Sequence, residues 1–225
     1  MCEPKDVPER KRTLRREVIA RRNSIPEEIR RTKSRRICQL IAEEFNRVRT
    51  AKAHPTVAVY AAMNSEVDLK DFIEHAYGCG ARVAFPCMNE TGQKDKDEHS
   101  EQRWSKSGHK PPMRSSMIMR TVSYRQYCTQ EVPFITNPIR SYATNDAAVR
   151  DYPAIPPEEV DFAVVPMVAF DDSFMRLGYG GGNYDSFLSA MRSGSAIIGA
   201  AFDEQRVASA PVESHDLRLP NIAHA

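Results

Sequence analysis

The 225-residue sequence has no apolar run long enough to cross a bilayer, and its first residues, MCEPKDVPERKRTLRR, contain no apolar core of the kind that a signal peptide requires. Its five cysteines are odd in number, form no Cys-x-x-Cys pair and lie at no zinc-finger spacing with histidine. These absences argue against a membrane-spanning, secreted or zinc-stabilised protein. We therefore expect reduced thiols and a cytoplasmic location.

Composition places the chain with soluble globular proteins, since 41% of its residues are hydrophobic and 28% are charged. The length predicts one domain, residues 1–225. The net charge is only +2, but residues 10–36 carry twelve lysines and arginines against three acids, so the remainder is acidic. A nucleic-acid-binding module is one interpretation of this segment, although it lacks interleaved aromatic residues.

Two helices are predicted in the basic N-terminal part. Leu14, Val18 and Ile19 form a first short amphipathic stripe, and the stretch SIPEEI then supplies a capping box between Ser24 and Glu27 with a proline in the first turn. Apolar residues at helical spacing continue to about position 48.

A strand–helix–strand unit follows, with strands at 56–62 and 81–86. Between them Ser65 is the predicted helix cap, and Gly78 is expected to end the helix in the left-handed conformation. Short connections of this kind favour a right-handed crossover and a parallel sheet.

The second half alternates irregular and apolar stretches. Irregular surface excursions are predicted near 89–116 and 133–157, separated by a returning strand at 117–122. The sequence VDFAVVPMVAFD predicts a strand buried on both faces, and 195–202 reads as the last central strand.

Glycine is scarce, with only ten in the chain, yet four of them lie in five positions of RLGYGGGNYD, 176–185. Because glycine loses the most backbone entropy on folding, such a cluster suggests that an anion approaches the backbone between the buried strand and the next helix. The alternative is a tight turn with spare glycines. Two known phosphate-binding motifs do not fit. Asn183 stands where the Walker loop needs a lysine and where the dinucleotide fingerprint needs its third glycine.

Charged residues elsewhere could complete such a site. Lys11 and Arg15 are four residues apart on one helix face, although a basic helix face is more often simply solvated. Asp185 and Asp216 are oxygen ligands of the type that suits Mg²⁺. The alternatives are a carboxylate near a helix N-terminus for Asp185 and a loop cap for Asp216.

Four segments together resemble the 5-formyltetrahydrofolate cyclo-ligase family, also called methenyltetrahydrofolate synthetases. They are KRTLR at 11–15, YAAMNSEVDL at 60–69, VPMVAFDDSFMRLGYGGGNYD at 165–185 and PVESHDLRL at 211–219. The resemblance implies a three-layer α/β/α sandwich with a mostly parallel sheet, like that of the ribose-phosphate isomerase and CoA-transferase group. It also implies ATP- and Mg²⁺-dependent conversion of 5-formyltetrahydrofolate to 5,10-methenyltetrahydrofolate, with release of ADP and phosphate after phosphorylation of the formyl oxygen.

The same resemblance implies a set of site residues. The catalytic residues would be Arg176 and Lys11, and Mg²⁺ would be held by Asp185 and Asp216. The ATP-binding residues would be Lys11, Arg12, Thr13, Leu14, Arg15, Arg176, Leu177, Gly178, Tyr179, Gly180, Gly181, Gly182, Asn183 and Tyr184. The folate-binding residues would be Arg15, Ala61, Glu66, Tyr179, Gly180, Gly181, Gly182 and Asn183. A carboxylate at Glu66 can accept paired hydrogen bonds from pterin N–H groups, although a helix first-turn acid is the simpler interpretation.

The chain departs from the family pattern at three positions in and before the loop. Asn183 and Ser186 stand where the family commonly has tyrosine and arginine, and Phe174 stands in place of a glycine. These changes leave open a non-catalytic or regulatory folate-binding protein on the same fold. The expected partners are reduced folate and ATP, with no membrane and no nucleic acid.

Overall fold

The computed structural model describes residues 7–90, 115–143, 145–211, 213 and 216–225. Its helices are α1 (Val7–Asn23), α2 (Glu27–Ala51), α3 (Lys70–Gly78), α4 (Tyr124–Thr129), α5 (Pro133–Thr136) and α6 (Asn183–Ser189). Short 3-10 turns lie at Pro157–Glu159 and Asp203–Gln205. In this part of the chain no helix is both long and apolar enough to cross a membrane.

The strands are β1 (Thr56–Ala58), β2 (Arg82–Glu90), β3 (Ser115–Thr121), β4 (Ser141–Tyr142), β5 (Ala154–Ile155), β6 (Phe162–Pro166), β7 (Ala169–Phe170), β8 (Arg176–Leu177), β9 (Ala196–Ala201) and β10 (Ile222–His224). The central sheet has the order β10-β9-β6-β1-β2-β3-β5, and β4 pairs with the end of β2. Pairing is parallel from β10 to β2 and antiparallel only where β3 joins β2 and β5. This mostly parallel sheet confirms the predicted fold class.

The two faces of the sheet bury different side chains. On one face Val57, Val83 and Phe162 meet α2 and α3, and Phe45 of α2 stacks edge-on to Phe162 with ring centroids 5.6 Å apart. On the other face small residues such as Ala58 lie beneath α6 and the C-terminal segment, whose described residues are 213 and 216–225. Alternation of large and small residues in β1 and at the starts of β2 and β6 therefore makes room for a thick helical layer on one side and a thin one on the other.

The sheet order reverses direction at β1. The connection through α3 leads from β1 to β2 on one side, whereas β6 lies on the other side of β1 and is followed outward by β9 and β10. In open α/β sheets the strand ends at such a reversal leave a crevice that accepts ligands. The fold therefore places a binding site beyond the carboxyl ends of β1 and β6.

Three predicted helix ends are wrong. Ser24 does not cap α2, because its hydroxyl donates to the Arg21 carbonyl oxygen, and Pro26 occupies the N-cap position instead. Ser65 does not cap α3, since the helix begins only at Lys70. Gly78 is the last helical residue, and the left-handed conformation falls two residues later at Gly80, with φ +75°.

The strand predictions hold in part. β1 is shorter than the predicted 56–62, and the apolar run after Val160 divides between β6 of the main sheet and β7 of a small hairpin with β8. The returning strand at 117–122 is confirmed as β3, while the edge strand β10 was not predicted. The stretch 133–157 contains the short β4 and β5, so it is less irregular than predicted. Most of the 89–116 excursion lies outside the described residues.

Candidate functional site

A cleft of about 420 Å³ opens beyond the carboxyl ends of β1 and β6. Its lining comes from α1, the turn after β1, strands β2 and β3, the glycine loop and the C-terminal segment. These residues are Lys11, Arg15, Tyr60, Ala61, Met63, Glu66, Pro86, Met88, Met117, Pro138, Ile139, Pro166, Arg176 to Asp185, Glu213 and Asp216. Residues from positions 11 to 216 thus converge on one site.

The glycine loop, 178–182, enters α6 with two backbone conformations that only glycine adopts freely. Gly180 has φ +104° and Gly182, the N-cap of α6, has φ +67°. Gly178 needs no such freedom, and a Cβ placed on it would meet no heavy atom within 4 Å. The glycine at 178 instead keeps the backbone open toward the cleft, where a ligand can approach it.

Two arginines hold the loop and the helix α6 that follows it. Arg15 of α1 donates from Nε to the Gly178 carbonyl oxygen at 2.8 Å, and its guanidinium lies against Gly180. Arg176 of β8 donates to Asp185 Oδ1 at 2.8 Å and to the Leu217 carbonyl oxygen at 2.7 Å. Through these two nitrogens the buried Arg176 guanidinium therefore joins α6 to the C-terminal segment.

Lys11 is 6% exposed and contacts two acids of the C-terminal segment. Its Nζ lies 2.6 Å from Glu213 Oε2 and 2.5 Å from Asp216 Oδ2. Burial lowers the pKa of Lys11, but hydrogen bonds and charges from Asp216 and Glu213 outweigh that effect and raise it overall. A permanently charged ammonium therefore lies at the polar end of the cleft.

Glu66 is 8% exposed in the turn after β1. Its Oε2 accepts a hydrogen bond from the Met63 N–H at 2.8 Å, whereas the buried Oε1 has no hydrogen-bond partner among the described residues. Burial raises the pKa of Glu66, against which the Met63 N–H, the Tyr179 hydroxyl and the Arg22 charge act. An unsatisfied buried carboxylate oxygen is costly, so this one is suited to a ligand that donates hydrogen bonds.

The opposite wall of the cleft is apolar. Met88, Met117, Pro138 and Ile139 lie there, and Ile139 is 77% exposed. Flexible thioethers adapt to aromatic ring systems, and an exposed isoleucine at a cleft edge gains by covering a bound apolar surface. The cleft thus has a charged end and an apolar wall, which suits a ligand with both characters.

The structure places most of the sequence-predicted residues together. Lys11, Arg15, Ala61, Glu66, the loop and both aspartates line the cleft, but Arg12, Thr13 and Leu14 do not. Leu14 instead packs on the small core that α1 shares with the β7–β8 hairpin. The sequence interpretation missed Glu213 and the apolar wall with Met88 and Met117, because residues this far apart in the chain share no recognisable spacing.

A magnesium site formed by protein ligands alone is not evident. Within the described ranges no cluster of three or more histidine, cysteine, aspartate or glutamate residues could hold a metal. Asp185 contacts Arg176 and Asp216 contacts Lys11, so each aspartate already faces a cation. Mg²⁺ usually binds through one or two carboxylates, and phosphate oxygens and waters complete its coordination shell. Asp185 and Asp216 fit such a site only when a phosphate-bearing ligand is bound with the metal.

Comparisons with known proteins agree with this architecture. A 5-formyltetrahydrofolate cyclo-ligase from Escherichia coli K12 is 27% identical over 168 residues, which cover 74% of this chain and 76% of the relative. The Haemophilus influenzae cyclo-ligase is 41% identical over 69 residues, 30% of this chain and 37% of that one.

Solved structures show the same fold. A 5,10-methenyltetrahydrofolate synthetase from Mycoplasma pneumoniae superposes with a TM-score of 0.64 at 18% identity, covering 95% of this chain and 97% of the other. The Aquifex aeolicus synthetase gives 0.61 at 22% identity, covering 95% and 89%. The family model described as "5-formyltetrahydrofolate cyclo-ligase family" matches residues 7–224. The chain therefore belongs to the 5-formyltetrahydrofolate cyclo-ligase family.

Proposed function

We propose that this protein converts 5-formyltetrahydrofolate and MgATP into 5,10-methenyltetrahydrofolate, ADP and phosphate. Family membership supports cyclo-ligase activity, and the observation that carries the proposal is the convergence of three parts on one cleft. These are the glycine loop, the cations Lys11 and Arg15, and the unsatisfied carboxylate of Glu66. Together they suit a phosphate-bearing ligand beside a ring system with N–H donors.

The chemistry requires little from a protein nucleophile. The γ-phosphoryl group passes from ATP to the formyl oxygen, so ADP leaves and the oxygen becomes part of a good leaving group. N10 of the folate then forms a bond to the formyl carbon, the carbon–oxygen bond breaks, and phosphate departs with the oxygen while N10 loses its proton. The protein's contribution is positioning and charge stabilisation.

Each part of the cleft has a role in this proposal. The backbone at Gly178–Gly182 surrounds the phosphates, while Lys11 and Arg15 stabilise their charge. Glu66 orients the pterin by accepting its N–H groups, and the apolar wall covers the aromatic portion. Mg²⁺ enters with ATP, and Asp185 and Asp216 are the carboxylates that would hold it. There it would neutralise charge on the transferring phosphoryl group.

The test is a spectroscopic assay on the purified protein. We expect near-ultraviolet absorbance of the methenyl product to rise only when 5-formyltetrahydrofolate, ATP and Mg²⁺ are all present. Absence of product at high enzyme concentration, with retained folate binding, would instead support the non-catalytic folate-binding alternative.

Variants separate the two ligands. Glu66→Gln keeps the shape but loses one acceptor and the charge, so KM for the folate should rise roughly tenfold or more while KM for ATP changes little. Lys11→Met should chiefly raise KM for ATP or lower kcat. The matched control is Arg16→Met, an exposed α1 residue outside the cleft.

A further inference from the structure

Arg22 is a buried arginine on α1 that the cleft lining does not include. It is 2% exposed, although it belongs to a basic segment whose residues are expected to face solvent. Burying a guanidinium is costly unless its hydrogen bonds and charge find partners. The partners of Arg22 therefore indicate what this arginine does.

Those partners connect three separate segments. Arg22 Nε donates to Ser65 Oγ at 2.9 Å, and Ser65 in turn donates to Asn23 Oδ1 at 2.5 Å. Arg22 Nη2 donates to the Tyr179 hydroxyl at 2.8 Å, and its guanidinium carbon lies 5.9 Å from the centre of that ring. One side chain thus joins α1, the turn that carries Glu66, and the glycine loop.

Tyr179 is the part of this arrangement that lines the main cleft. The residue lies between Gly178 and Gly180 of the loop, and it also lines a second cleft beside Arg22 and Asn64. The residue is 46% exposed, so packing alone does not fix its ring. The hydroxyl bond to Arg22 supplies the missing restraint.

Glu66 lies within the electrostatic reach of the same group. The carboxylate is buried with one unsatisfied oxygen, and the charged or titratable groups facing it are Arg22, Tyr179, Tyr60 and Tyr184. Arg22 is the cation among these groups. Its charge therefore favours the ionised form of Glu66 that a pterin N–H donor requires.

We propose that Arg22 is the positioning residue that fixes Tyr179 and Glu66 for folate binding, through its bonds to Ser65 and the Tyr179 hydroxyl. The inference rests on the proposed function for its substrate but adds a residue that touches neither folate nor ATP. It separates two actions of Arg22. The guanidinium fork orders the loop, and the positive charge favours the ionised form of Glu66, which burial disfavours.

Three variants test these actions with turnover kinetics. In Arg22→Met both actions are lost, so KM for the folate should rise roughly tenfold, KM for ATP should change less than about twofold, and the acid limb of kcat/KM should move to higher pH. Arg22→Lys keeps the charge but not the fork, so it should restore the pH profile without restoring KM. Tyr179→Phe removes only a hydroxyl from a half-exposed loop residue, so it should raise KM without unfolding the protein.

A double-variant comparison and a ligand-free measurement complete the experiment. Arg22→Met should raise KM for the folate less in the Tyr179→Phe background than in the wild type, because the shared bond is already gone and only the Ser65 bond and the charge are still to be lost. Hydrogen exchange of the substrate-free protein should become faster across 176–187 in Arg22→Met and Tyr179→Phe, and stay unchanged in Arg16→Met.

The two hypotheses fail in different ways. If the wild type is active and neither Arg22→Met nor Tyr179→Phe alters KM for the folate or hydrogen exchange of the loop, the role of Arg22 is refuted and the proposed function stands. If the wild type makes no product, the proposed function fails, and the exchange result alone decides whether Arg22 orders the loop. Unchanged hydrogen exchange in both Arg22→Met and Tyr179→Phe would then overturn the proposed role of Arg22.

Discussion

At the scale of single residues, one unusual backbone conformation lies close to the site. Phe174 has φ +63° in the turn between β7 and β8, where the family resemblance leads one to expect glycine. The turn holds because Asp171 accepts hydrogen bonds from the N–H groups of Ser173 and Met175 and from the Ser173 hydroxyl. The side chain of Phe174 also packs on the apolar residues beneath α6, so burial offsets the unfavourable backbone conformation.

The glycine loop offers a matched pair of substitutions. Gly180→Ala should lower the free energy of unfolding by roughly 1–3 kcal/mol, because φ +104° strains any side chain and its Cβ would approach the Arg15 guanidinium to 3.2 Å. Gly178→Ala should change stability by less than about 0.5 kcal/mol, since no atom of the described residues lies within 4 Å of the added Cβ. Urea unfolding of the ligand-free proteins measures both, and equal losses would contradict this assignment.

At the scale of elements, β8 and α6 are joined to the C-terminal segment through one guanidinium. Arg176 lies in a two-residue strand, and α6 has seven residues, so neither element is stable alone. Hydrogen bonds from Arg176 to Asp185 and Leu217 hold them together. The sequence interpretation assigned this arginine to the phosphates of ATP, whereas the structure gives its fork two partners within the protein.

Arg176→Lys tests the structural part of that role. Lysine keeps the charge but cannot reach both acceptors with a planar fork, so the free energy of unfolding should fall by roughly 1–3 kcal/mol. ATP affinity should fall with it, because the loop loses its attachment. Arg31→Lys is the control, since its contact with Glu27 is exposed on α2 and should contribute little. An unchanged melting temperature in Arg176→Lys would show that the buried fork is dispensable.

At the scale of the whole molecule, the cleft is assembled from nearly the full length of the chain. The same ligands would contact α1 near the start, the turn after β1, the glycine loop and the segment around Asp216. A ligand bound there should therefore stabilise the entire fold rather than one end.

Thermal unfolding with ligands measures this coupling. A ligand at about 100 times its Kd adds about 2.7 kcal/mol of stability, which corresponds to an increase in Tm of roughly 5–10 °C for a domain of this size. We expect such shifts with 5-formyltetrahydrofolate and with MgATP, and smaller ones with Gly180→Ala. A wild-type Tm that is unmoved by either ligand would argue against this cleft as their binding site.

Much of the fold and site could be predicted from sequence because the relevant signals are local. Apolar periodicity indicated α2, and short, nearly continuous apolar runs indicated β6 and β9. The density of glycines at 178–182 predicted a backbone that a ligand approaches closely. Both predicted helix caps, Ser24 and Ser65, were wrong. The Ser24 hydroxyl donates to the nearby Arg21 carbonyl oxygen, whereas the Ser65 hydroxyl donates to Asn23 at the end of α1. Local capping rules cannot anticipate a competing acceptor from another segment.

The sequence by itself determined the class of fold and the family, since each depends on apolar runs and motifs that are contiguous within short segments of the chain. Only the tertiary structure decided which charges are available in the cleft. Lys11 is paired with two acids about two hundred residues away, Arg176 faces the protein, and Arg22 is buried against Tyr179. The physical reason is that the role of a charge depends on its burial and its partners, and folding brings those partners from distant parts of the sequence.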